Sequence, residues 1–180
     1  MTAVYWAALV LVGLVAAASF SLVLIVARRL RALTEQVHRY LPISEHGLPD
    51  PGTPLPAFDA TTAAGRRVTE RHFAGEDRVL AFLTTDCGSC HDQLPAVREL
   101  ASSGWPEPVA VVIGPRADRA AMTARLGPEA IVLEEDDGGP IVRAFEMSEF
   151  PAILIAGAGV VRVAGHGVAD VLAAAKPANA

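Results

Sequence analysis

The sequence predicts an α/β domain built around a central sheet, and three observations carry the prediction. From Phe58 onward, short β-like runs alternate with runs whose apolar residues recur at helical spacing, the mark of strands and helices interleaved along one chain. Residues 78–85 (RVLAFLTT) form a largely apolar run, read as a buried strand. Cys87 and Cys90, the two cysteines of the chain, stand in Cys87-Gly88-Ser89-Cys90, where this strand gives way to a helical pattern.

Taken in order from the N-terminus, residues 3–27 carry no charged side chain and are rich in Val, Leu and Ala. Such a run is long enough to cross a bilayer, which takes about 20 apolar residues. No Lys or Arg precedes it, and Arg28, Arg29 and Arg31 follow it. That is the reverse of a cleavable signal peptide, so an uncleaved transmembrane helix is expected. Residues 28–54 read as a juxtamembrane stalk and linker. Leu30, Leu33 and Val37 first keep helical spacing, then Pro42, Pro49, Pro51, Pro54 and Pro56 remove backbone donors and favour a semi-rigid extended spacer. The folded domain is expected over 55–180.

Within that domain the pattern predicts a hairpin over 58–68 turning at Ala64-Gly65, the strand 78–85, and a helix over 91–102 interrupted by Pro95. A strand at 108–113, a helix at 118–126, a strand at 130–133 and a short helix at 140–147 follow. The chain closes with strands at 152–156 and 160–163, joined in a hairpin through Gly157-Ala158-Gly159, and a helix at 168–175. The acidic run 134–137 matches no calcium-loop spacing and reads as a solvated loop before the turn at Gly138-Gly139. Gly157-x-Gly159 lacks the third glycine of a dinucleotide fingerprint, Arg162 standing there, and reads as a hairpin turn.

A chain of 180 residues with net charge -5 holds one ordinary domain plus accessories and offers no basic footprint for nucleic acid. Two cysteines cannot form a disulfide scaffold, so the pair reads as a redox dithiol. At the first turn of a helix, Cys87 would face unpaired backbone N–H groups and the positive end of the helix dipole, both of which favour a thiolate. Cys90, nearly one turn later, would be within reach to attack a mixed disulfide at Cys87 and release the partner reduced. Cys87 is therefore expected as the nucleophile and Cys90 as the resolving thiol. His91 and Asp86 flank the pair, and their charges would push Cys87 in opposite directions.

C-x-x-C-H is also the attachment signature of c-type haem. That reading would want a helical surround and a second axial ligand, whereas Met122 and Met147 lie in segments the α/β pattern uses for packing. A zinc site would have three crowded ligands in Cys87, Cys90 and His91, with His72 or His166 as unsupported fourths. No metal and no cofactor are expected. His72, His166 and Trp105 read as surface or packing residues.

From Phe58 onward the chain resembles the thioredoxin-like superfamily, in particular its membrane-anchored branch related to TlpA, to cytochrome-maturation thiol oxidoreductases and to the methylamine-utilisation protein MauD. Four features carry the resemblance. They are the strand leading into Cys87-Gly88-Ser89-Cys90, Pro95 five residues after the second cysteine, the stretch Ile131-Val132-Leu133-Glu134-Glu135-Asp136-Asp137-Gly138 before a short helix, and Phe150-Pro151-Ala152-Ile153-Leu154-Ile155 followed by Gly157-Ala158-Gly159. The resemblance implies a thioredoxin-like fold, a mixed central sheet flanked by helices. It implies a cis proline at Pro151 lying against the dithiol, and so makes Phe150 and Pro151 substrate-binding candidates. It implies a thiol-disulfide oxidoreductase whose partners are protein thiols or disulfides, with a membrane or thioredoxin-type electron donor. It also places the domain outside the bacterial membrane, while the arginines flanking the span place it in the cytoplasm by the positive-inside rule.

Four features depart from the family's pattern, one of them Gly88-Ser89, which replaces the proline-containing dipeptides common between the two cysteines. Asp86 stands where a tryptophan usually precedes the first cysteine, no acid lies on the strand before the dithiol, and Gln93 replaces an acid some relatives carry three residues after the second cysteine. Two other functions remain compatible with the residues. A peroxiredoxin-like thiol peroxidase would use Thr84, three residues before Cys87, although Leu80 stands where its motif has proline. A non-catalytic membrane-tethered binding module would use the groove near Phe150 and Pro151 without turnover.

Overall fold

The computed structural model describes residues 47–175 together with Trp6. Apart from Trp6, the transmembrane helix expected at 3–27 lies outside the described residues, as does most of the stalk and linker expected over 28–54. Among the described residues no helix is long and apolar enough to cross a membrane.

Two short strands open the described chain. β1 (Asp59–Thr61) pairs antiparallel with β2 (Arg67–Thr69) in a two-stranded sheet of its own, followed by a 3-10 turn over Glu70–Phe73. The central sheet follows: β3 (Arg78–Thr84), β4 (Val109–Ile113), β5 (Ile131–Glu135), β6 (Ala152–Gly157) and β7 (Val160–Gly165). The helices are α1 (Gly88–Ser102), α2 (Arg116–Leu126), α3 (Pro140–Ala144) and α4 (Val168–Ala175). In space the strands run β5-β4-β3-β6-β7, with β3, β4 and β5 parallel and β6 and β7 antiparallel to their neighbours. This is the mixed, helix-flanked sheet expected from the sequence.

The apolar runs are continuous because both faces of the sheet are covered. Alternate residues of β3 serve different layers. Leu80 and Phe82 meet the hairpin, the 3-10 turn and α3 through Phe58, Val68, Phe73, Ile141 and Phe145. Val79, Ala81 and Leu83 meet α1, α2 and α4 through Leu94, Val97, Met122, Leu126, Val168 and Val171. Phe82 lies opposite Val111 on one side and Ala152 on the other. β3 is thus the central strand, and its C-terminal end delivers the chain to the dithiol.

Three expectations are corrected. Pro95 was expected to interrupt its helix, but α1 runs unbroken from Gly88 to Ser102. Pro95 faces solvent, so the lost backbone donor leaves the buried stripe of Cys90, Leu94, Val97 and Leu100 intact. The acidic run expected as a solvated loop is half strand: Glu134 and Glu135 complete β5, and Glu135 is buried, with Oε1 and Oε2 accepting the backbone N–H groups of Ile141 and Val142 at 2.6 and 3.1 Å. A buried carboxyl group is tolerable there because it satisfies donors at the start of α3 that would otherwise be orphaned. The short helix ends at Ala144 rather than 147, and Glu146 takes a left-handed φ of 53°.

The described end of the stretch expected as a semi-rigid spacer is joined to the domain. Gly52 N–H donates to the Val161 carbonyl, Val161 N–H to the Thr53 carbonyl, and Leu55 N–H to the Gly159 carbonyl, at 2.7, 2.9 and 2.9 Å. Leu48 and Leu55 are buried against the core. These residues cover the outer edge of β7, which would otherwise expose a row of unpaired backbone groups.

Candidate active site

Thr85 N–H continues the β3 ladder to the Ile113 carbonyl at 2.9 Å, and the chain then turns into α1. Gly114, opposite this turn, has φ 138°, and a Cβ there would lie 2.1 Å from Thr85 Oγ1. Only glycine allows so close an approach. The buried Arg119 holds the same corner, donating from one guanidinium nitrogen to the Gly114 carbonyl at 2.8 Å and to Asp136 at 2.6 Å. The dithiol therefore starts from a fixed point.

Cys87 is the N-cap of α1, with extended backbone, and its Sγ accepts the N–H of Cys90 at 3.3 Å. A side-chain oxygen usually fills this role; here it is a sulfur. The Ser89 hydroxyl lies 3.0 Å from the same Sγ. Burial works against ionisation of Cys87, but hydrogen bonds from the Cys90 thiol, the Ser89 hydroxyl, the Cys90 N–H and the Thr84 hydroxyl outweigh it. They hold the Cys87 thiol below its ordinary value of 9.0. Cys90 has the opposite setting. It is fully buried among Leu94, Val97 and their neighbours, and burial first, then the adjoining Cys87 sulfur, push its thiol up to about 12. Both cysteines are free thiols.

The Phe150–Pro151 peptide is cis, as the resemblance implied, and the Phe150 carbonyl oxygen lies 3.8 Å from Cys87 Sγ. The Phe150 ring packs partly into both core layers and Pro151 is buried. The polar group this loop offers the sulfur is the Phe150 backbone carbonyl.

His91 does not act on the dithiol as its position in sequence suggested. Its Nε2–H donates to the Thr85 carbonyl at 2.9 Å, and its Nδ1 accepts from Arg125 at 2.9 Å, tying α1 to the preceding turn and to α2. Asp86 is exposed. The hydrogen bonds to Cys87, rather than these flanking charges, set its ionisation. Gln93 is also committed, since its Oε1 accepts the Val168 N–H at 3.0 Å and caps α4.

Sequence reasoning did not pick out Ser89 or His166, nor Thr84 as a partner of Cys90. Thr84 Oγ1 lies 3.8 Å from Cys90 Sγ. The polar end of an apolar strand was the signal available for it. His166, read as a surface or packing residue, donates from Nδ1 to the Pro151 carbonyl at 2.7 Å, and its Nε2 lies 3.6 Å from Glu149. That contact joins residues distant in sequence, so local pattern carried no trace of it. Among the described residues, no group of three or more His, Cys, Asp or Glu side chains is arranged to hold a metal ion.

No protein-family model matches the chain, and no curated protein matches it. Solved structures do resemble it. The thioredoxin domain of a thiol-disulfide oxidoreductase from Bacteroides vulgatus superposes with a TM-score of 0.59 at 16% identity, over 70% of this chain and 95% of that one. A thio-disulfide isomerase from Thermus thermophilus gives 0.57 at 21% identity, over 71% and 94%. A secreted disulfide oxidoreductase from Mycobacterium tuberculosis gives 0.53 at 20% identity, over 61% and 83%. The fold of the described domain is thioredoxin-like.

Proposed function

We propose that this chain is a membrane-anchored thiol-disulfide oxidoreductase that exchanges disulfides with protein partners through Cys87 and Cys90. The observation that carries the reading is the asymmetry of the two sulfurs. One is partly exposed, caps a helix and is held below the ordinary thiol range, while the other is buried and raised to about 12. The likeness to solved oxidoreductases supports it.

The reaction divides accordingly. Cys87 thiolate attacks a partner disulfide; the new bond joins Cys87 Sγ to one partner sulfur, and the other partner sulfur leaves as a thiolate that takes up a proton. Cys90 then loses its proton and attacks Cys87 Sγ. The Cys87–Cys90 disulfide forms, the mixed disulfide breaks, and the second partner sulfur leaves with the proton. The partner is reduced by two electrons and the dithiol oxidised by two. Run backward, the same steps oxidise a partner dithiol. The Phe150 carbonyl beside Cys87 is the point at which an extended partner chain would add its backbone, with Phe150 and Pro151 forming the wall of that site.

The span 3–27 supplies the membrane tether in this reading, and the electrons come from a membrane or thioredoxin-type donor. Labelling with an impermeant maleimide in intact cells assigns the side: reaction before lysis places the dithiol outside, and reaction only after lysis places it in the cytoplasm. The function itself is tested by a redox titration against glutathione or dithiothreitol buffers, trapping thiols by alkylation and reading intact mass. A reversible transition that removes both thiols together is expected. Its midpoint, near about -270 mV for a reductant or about -120 mV for an oxidant, sets the direction. Absence of a transition would leave a binding module as the remaining reading.

A further inference from the structure

We propose that Thr84 is the positioning residue for the resolving half of the exchange, its hydroxyl donating a hydrogen bond to the Cys90 sulfur as that sulfur ionises and attacks Cys87. The proposal rests on the exchange reading above and adds how the buried thiol is served without an acid beside it.

Cys90 has little else to rely on. Its side chain is fully buried, and beyond the Cys87 sulfur its hydrogen-bonding partner is Thr84, through its backbone and through its hydroxyl, whose Oγ1 lies 3.8 Å away. The charged and titratable groups of the neighbouring elements are turned elsewhere. His91 on α1 faces the Thr85 carbonyl and Arg125 of α2, Asp86 is exposed, Asp92 is exposed, and Gln93, where an acid could have stood, caps α4. Among the described residues no carboxylate hydrogen-bonds to the Cys90 sulfur.

Thr84 is placed for the task. It is the last residue of β3, buried, and fixed by ladder pairing opposite Ile113. Its hydroxyl lies 3.8 Å from the Cys90 sulfur, and it is the smallest of the influences that favour the ionised form of Cys87. Negative charge starts on Cys87, is consumed in the mixed disulfide, and reappears on Cys90 before the second attack. A hydroxyl beside Cys90 can turn its proton toward that sulfur as the charge arrives, by rotating about one bond. In the step itself the Cys90–H bond breaks, the Cys90–Cys87 bond forms, the Cys87–partner bond breaks, and the departing partner thiolate takes the proton. Thr84 gains and loses nothing. A hydrogen bond to a charged sulfur in a dry site adds to the backbone contact that Thr84 also supplies.

The test uses the reduced full-length chain and an aromatic disulfide whose released thiolate is coloured. Attack by Cys87 releases one equivalent, and resolution by Cys90 releases a second. Thr84→Val keeps the shape and removes the donor. It is expected to slow the second release by about ten- to a hundredfold, to move that phase's pH dependence upward, and to change the first release by less than about threefold, because Ser89 and the Cys90 N–H remain. Thr84→Ser is expected to restore the second phase, and Thr84→Ala, which cannot overpack the site, to repeat the Val result. A second phase in the Val and Ala variants as fast as in wild type, with the same pH dependence, overturns the proposal and leaves the exchange reading intact. A wild-type chain that releases one equivalent and forms no internal disulfide overturns both.

Discussion

Two helices of this domain start just past the ends of parallel strands of the central sheet, and each has its first N–H groups met by a side chain, yet the outcomes differ. At α3 the cap is Glu135. Pro140 occupies the first position and has no N–H to satisfy, and the two oxygens of Glu135 take the next two donors at 2.6 and 3.1 Å, fully inside the protein. Gly139 makes this possible, since a Cβ there would lie 2.7 Å from that of Glu135. At α1 the cap is Cys87, whose sulfur takes one donor at 3.3 Å and stays partly exposed. The same orphaned backbone groups are met in both places. One cap is locked by two short bonds and serves stability. The other is held by hydrogen bonds to a partly exposed sulfur, whose thiol they lower below its ordinary range and leave open to chemistry.

The largest effect expected from this contrast is on exchange. Cys87→Ser is expected to abolish disulfide exchange, down to the rate of a variant lacking both thiols, while unfolding stability changes by less than about 1 kcal/mol, because serine is itself a good N-cap. Glu135→Ala should do the reverse. It strands two buried N–H groups and is expected to cost about 2 to 4 kcal/mol in urea unfolding, with the Cys87 alkylation rate changed by less than about twofold. A large loss of Cys87 reactivity in that variant would break the separation drawn between the two caps.

Gly114→Ala tests the fixed point from which the dithiol starts. Its φ of 138° and its 2.1 Å approach to Thr85 Oγ1 predict a loss of about 1 to 3 kcal/mol, together with slower exchange as the turn before Cys87 shifts. The smallest effect belongs to the third capped helix: Gln93→Ala removes the Val168 cap and is expected to cost about 1 kcal/mol with no change in the redox midpoint.

The sulfurs also give stability a pH dependence of known sign. Cys87 is depressed, so it contributes stability above the ordinary thiol range that is lost as pH falls through its folded value. Cys90 is raised, so its contribution is complete below 9.0 and is lost as pH climbs toward about 12. Thermal unfolding of the reduced chain compared with Cys90→Ala should therefore show the wild-type advantage shrinking across that alkaline window.

Much of this was legible in the sequence. Strand and helix order and the dithiol at the head of a helix follow from local apolar pattern and short motifs, which act over a few residues, while the mixed sheet and the proline loop beside the dithiol were implied by the family resemblance. What the pattern missed depends on contacts between distant segments. Glu135 looks like part of a solvated acidic run until α3 folds back onto it. Pro95 looks like a break until α1 is seen to turn it outward. His91 looks like a charge on the thiolate until Thr85 and Arg125 engage its ring. Polar residues carry little information about their partners in one dimension, whereas apolar periodicity carries a good deal about burial.

The account stands on the inequality of the two thiols, and site-resolved alkylation of the reduced protein across pH measures it directly, with each adduct located by peptide mass. The prediction is that Cys87 reacts first, with a rate that inflects below 9.0, while Cys90 stays unmodified in the folded protein until pH nears about 12. Comparable rates at the two cysteines, or an inflection for Cys87 at or above 9.0, would contradict it.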